Sequence, residues 1–156
     1  MQNDYAKQLL ASKEYFERSS RVLQEADSGF APQPGIWTVA QQVAHTAHTL
    51  DWFVEGVSRP EGFDLDFAKI GELINSVTSL TEARKWLDKA FARAIEFVKT
   101  SAPEKLAAPL PPGPVMGGQP MSDIVWAIIE HTAHHRGALT VYSRLLGRTP
   151  IMPYME

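Results

Sequence analysis

The five histidines of this 156-residue chain fall in two short stretches: His45 and His48, then His131, His134 and His135. On a helix, His131 and His135 stand one turn apart and share a face. An i, i+4 imidazole pair is a common way for a helix to offer two ligands to one metal ion. A third imidazole would come from His45 or His48. Cysteine is absent, so no thiolate of the chain can act as nucleophile or ligand; any metal falls to imidazole, carboxylate or water.

Other catalytic patterns fail. Thr132 follows His131, so no HExxH motif is present. There is no Walker A or GxGxxG sequence, and the Gly113–Gly118 stretch is turn-rich without a following Lys-Ser/Thr. The Glu-x-x-His pairs of di-iron bundles are missing.

Four long helices position these residues. The first is expected from about Asn3 to Ala26, on the three-to-four spacing of Tyr5, Leu9, Phe16 and Leu23, with a stop at Asp27-Ser28-Gly29. Thr38 and Gln41 form a capping-box pattern that opens the second, to about Gly56. Ser58–Ser79 is a long connection with a short helix around Leu65–Ile74. Ser79 and Glu82 make a second capping-box pattern, and Ala83, Trp86, Leu87, Ala90, Phe91, Ala94 and Val98 form the stripe of the third helix. Six prolines and three glycines between Ala102 and Pro120 forbid a continuous helix there. The fourth helix runs from about Ser122 to Leu146 and stops at Gly147. With no alternating strand pattern and no repeat, the fold class is all-α, a four-helix bundle in one domain, 1–156.

On a wheel of ~100° per residue, His131 and His135 fall among Ile124, Ile128, Leu139 and Tyr142. His134 lies on the flank. In the second helix, His45 lies nearly opposite the stripe of Val39, Val43, Ala47, Leu50 and Val54, sharing its side with Gln41, His48 and Trp52. Periodicity leaves open which face lines a site. The four tryptophans read as core or interface aromatics. Arg136 points away from the stripe, to orient a carboxylate or pair with an acidic residue. The Ala102–Pro120 segment is either a surface loop or part of a pocket mouth.

Composition narrows the function. A net charge of −3 without a basic run argues against a nucleic-acid surface. No apolar run reaches the ~20 residues of a membrane span, and the first residues lack a signal-peptide pattern, so a cytoplasmic location is expected.

Trp37-Thr38-Val39-Ala40-Gln41-Gln42-Val43-Ala44-His45 resembles the first signature of the DinB/YfiT-like family, and His131-Thr132-Ala133-His134-His135-Arg136-Gly137 resembles its second, H-x-x-x-H-R-G. Order and spacing match along the whole chain, including Leu145-Leu146-Gly147 and the Pro-rich tail with Tyr154. The resemblance implies an up-down-down-up bundle with a long crossover between helices 2 and 3, and a metal site formed by His45, His131 and His135. His48 and His134 do not carry over as ligands. Imidazole and water ligands suit zinc or nickel, with iron or manganese as further options. The resemblance also implies a homodimer. It points to a metal-dependent enzyme, either a thiol-dependent S-transferase joining a small thiol to an electrophile or a hydrolase. The alternative is a stress-response or binding protein with a structural or vestigial metal site.

Overall fold

The computed structural model describes residues 2–155. Its helices are α1 (Gln2–Ser20), α2 (Val39–Ser58), α3 (Phe67–Asn75), α4 (Leu80–Thr100), α5 (Pro103–Ala107) and α6 (Ile124–Leu145). Single 3-10 turns precede α2, at Glu25–Asp27, and α6, at Met121–Asp123. Among the described residues there is no strand, only an isolated bridge between Pro109 and Pro120, and no helix is long and apolar enough to cross a membrane.

The four long helices close a ring of contacts: α1 on α4, α4 on α2, α2 on α6 and α6 on α1. The core inside it contains Leu9 and Phe16 of α1, Val43, Ala47 and Leu50 of α2, Leu87 and Phe91 of α4, and Ile128 and Leu139 of α6.

α1 ends at Ser20, six residues before the helix expected from periodicity. The backbone carbonyls of Ser20 and Leu23 accept hydrogen bonds from the Arg84 guanidinium of α4 (2.8 and 3.1 Å). The Asp27 carboxylate accepts from the Gln24 N–H (2.7 Å) and pairs with Arg148. Tertiary partners thus satisfy backbone groups that would otherwise favour another helical turn. Leu23 is still buried, so the apolar spacing continued beyond the helix itself.

Thr38 and Gln41 make their reciprocal capping bonds (3.3 and 3.0 Å) at the start of α2. The Gln41 amide also donates to the Asn75 carbonyl (3.0 Å), tying the end of α3 to the start of α2. At α4, Ser79 accepts from the Glu82 N–H (3.2 Å), but the Glu82 carboxylate turns to Lys85 (2.7 Å), so only half of the expected box forms. Asp51 joins α2 to α4: it receives Arg93 through two nitrogens (2.5–2.8 Å) and the Trp86 indole N–H (2.7 Å). Gly147 takes the left-handed conformation (φ 73°) just beyond α6, as its position predicts.

Candidate metal centre

α2 and α6 bring His45, His131 and His135 together. His131 Nε2 lies 3.1 Å from His45 Nε2 and 3.1 Å from His135 Nε2. One ring nitrogen from each of the three falls within 4.8 Å of the others. His135 is buried; His45 and His131 are partly buried. The aliphatic stripe of α2 does not compete with His45 for the interior, because α2 is buried on both sides: Val39, Val43, Ala47 and Leu50 join the core while His45 meets α6.

The hydrogen-bond pattern fixes which nitrogen of His135 is free. Tyr142 Oη donates to the Trp37 carbonyl (2.9 Å) and accepts from Gln42 Nε2 (3.2 Å). Gln42 Oε1 is then the acceptor that faces His135 Nδ1 at 2.6 Å. His135 therefore carries its proton on Nδ1 and turns the Nε2 lone pair toward His131 and His45.

Burial lowers all three imidazole pKa values, with added repulsion from neighbouring histidines. His45 and His131 are pushed down to about 4 and His135 to about 3. All three are neutral at pH 7. A neutral His131 has at most one proton on Nε2, so it can donate across only one of its two 3.1 Å contacts; in the other, two like nitrogen atoms face each other. His45 Nδ1 and His131 Nδ1 are buried without a protein partner, which is compatible with both rings carrying the proton on Nδ1. That tautomer turns three Nε2 lone pairs toward one point. A divalent cation at that point would satisfy all three, so the donor set fits a metal ion.

The other sequence-selected residues are placed differently. His48 is half-buried, with its ring edge-on to Trp86 (6.0 Å between centroids), and is not part of the trio. His134 is exposed, 4.9 Å from His135 between ring centroids. Arg136 has no acidic partner among the described residues; its guanidinium lies over the rings of Tyr15 and Tyr154, 5.9 Å from each centroid. Trp37 packs on His45 (4.3 Å between centroids) and so lies at the site, whereas Trp126 is largely exposed.

A cavity of about 240 Å³ reaches two of the trio, with His45 and His131 in its wall beside His48, Trp52, Phe53, Phe67 and Ile70. The Ala102–Pro120 segment does not form this mouth. It lines a separate cavity of about 450 Å³ with Gly56, Val57 and Phe63. Phe63 packs on Trp52 and Phe53 (4.7 and 6.2 Å), between the two spaces.

Gln42 and Tyr142 were not singled out as site residues from sequence. The signal for Gln42 was its place one turn before His45 on the same face of α2. Tyr142, seven residues after His135, was already in the α6 stripe. Their bond to each other depends on the pairing of α2 with α6, which neither helical pattern contains.

Fold and site together define a helical protein with a partly buried three-histidine cluster between two of its long helices. The sequence profile of the DinB superfamily matches residues 8–139, and the chain belongs to that superfamily. Among solved structures, it is similar to a DinB-like protein of Bacillus cereus, at 19% identity and TM-score 0.73, over 97% of this chain and 95% of that one. A DinB-like protein of Bacillus subtilis is similar at 12% identity and TM-score 0.68, over 95% of each chain. No curated protein matches.

Proposed function

We propose that His45, His131 and His135 hold a divalent metal ion, zinc or nickel in the first instance, in a small-molecule enzyme of the S-transferase type. The observation that carries this reading is the meeting of three neutral imidazoles at their Nε2 atoms, with one orientation held by Gln42. Bound there, a divalent ion would supply an open, positively charged position at which a thiol or a water molecule loses its proton. Gln42 and Tyr142 orient His135, and Trp37 packs against His45. Trp52, Phe53, Phe67 and Ile70 form an apolar wall that suits the hydrophobic part of a small electrophile and limits water around it. Because the chain has no cysteine, the attacking sulfur belongs to a low-molecular-weight thiol co-substrate.

The up-down-down-up order of the four long helices is part of the same proposal. Its support is the sequence order of paired positions. Gln42 meets His135 while His45 meets His131, as in antiparallel helices. His48 meets Trp86 while Asp51 meets Arg93, as in parallel ones.

The test is a panel of thiols and electrophiles run on metal-loaded protein beside ester and amide substrates. Thiol-dependent conjugation that disappears in His131→Ala supports the transferase. Turnover of esters or amides alone replaces it with a hydrolase. Metal binding with neither activity leaves a binding protein.

A further inference from the structure

A third cavity, of about 380 Å³, lies between α1 and α6, around α6 from the histidines. Thr132 and Arg136, each one residue beyond a member of the trio, line it with Ser12 and Tyr15 of α1, Ile129 of α6 and Tyr154 of the tail. Arg136 is partly buried and has no ion pair or hydrogen bond among the described residues. The rings of Tyr15 and Tyr154 meet edge to face (5.0 Å), and both flank its guanidinium. Arg18, the nearby basic residue of α1, is already used: it pairs with Glu14 and donates to the Pro153 and Met155 carbonyls. Thr132 is 1% exposed, and its hydroxyl is buried without a partner.

We propose that this cleft binds a small monocarboxylate with an apolar, ring-sized body. A planar guanidinium with no internal counter-charge matches a carboxylate through two parallel N–H···O bonds. The tyrosine rings orient the guanidinium by cation–π contact. Ile129 with the tyrosine rings receives the apolar body. One cation suits a singly charged carboxylate better than a phosphate, which would keep more charge unneutralised. The proposal is independent of metal binding by the trio.

Calorimetric titration of the metal-free, full-length chain with benzoate tests it, with benzyl alcohol as the uncharged probe of similar size. Benzoate is expected to bind and benzyl alcohol to bind far more weakly. Arg136→Gln should weaken benzoate roughly ten- to a hundred-fold, the range for one lost charged hydrogen-bond pair, and Arg136→Lys should weaken it less. Ala11 of α1 also lines the cleft, and Ala11→Leu, which fills it, should abolish binding while the helical circular-dichroism signal persists. His135→Ala should leave it unchanged. The proposal is overturned if benzoate gives no binding, if it binds Arg136→Gln or Ala11→Leu as tightly as wild type, or if His135→Ala abolishes it, which would assign the carboxylate to the histidine cluster. Should Arg136→Gln fail to fold, the Ala11→Leu titration decides.

Discussion

Gln42 gives His135 a defined tautomer through a 2.6 Å contact, and its amide is held in turn by Tyr142. Partners of this kind orient metal ligands, and their loss typically weakens binding ~10–100-fold. Gln42→Leu, close in size but unable to accept a hydrogen bond, is expected to weaken metal binding within that range without unfolding the protein, measured by competition with a chromophoric chelator. A second prediction concerns protons. Desolvation pushes His45 and His131 down to about 4 and His135 to about 3, against an ordinary value of 6.5. Below 6.5 the unfolded chain takes up protons that the folded chain refuses. The stability of the metal-free protein is therefore full above 6.5 and declines as pH falls toward 4. Melting temperatures across that range should drop steeply in wild type and less steeply in His131→Leu. Equal slopes in both proteins would contradict the assignment. The i, i+4 pair on α6 was legible in the sequence because one helix's periodicity contains it. Gln42 was not, because its role arises only where two helices meet.

At the scale of elements, the capping residues were legible and the packing around them was not. Thr38 and Gln41 form both bonds of their box because nothing else claims the Gln41 carbonyl oxygen. Glu82, with Lys85 three residues on, turns outward. α1 stops early because Arg84, distant in sequence, takes the carbonyls of Ser20 and Leu23. The same dependence on distant partners explains why the Ala102–Pro120 segment, readable only as not helical throughout and carrying the short α5, could not be assigned to a particular cavity from sequence. Gly56 gives this scale its prediction. A Cβ there would come within 2.2 Å of the Phe63 ring, which packs on Trp52 and Phe53 beside the candidate site. Gly56→Ala must displace that ring, and overpacking of this kind costs about 1–3 kcal/mol. Chemical denaturation should show a loss in that range, with the apolar wall near His45 disturbed as well. An unchanged midpoint would mean that Phe63 moves aside without cost.

For the molecule as a whole, an all-helical fold followed from four apolar stripes at helical spacing, and DinB superfamily membership rests on residues 8–139. How copies of the chain assemble lies beyond intrachain periodicity, because an exposed apolar residue has the same pattern whether or not a partner covers it. Trp126, Val141 and Leu145 leave substantial apolar surface on α6, and a homodimer is proposed to use it. Trp126→Glu is expected to shift the sedimentation coefficient from dimer to monomer without changing metal content. The most direct test of the central claim is elemental analysis of wild type and His135→Ala after identical reconstitution with zinc or nickel and removal of free ion. One equivalent of metal per wild-type chain and a near-complete loss in the variant is the predicted result. A wild-type protein that retains no metal, or a variant that retains as much as wild type, would contradict it.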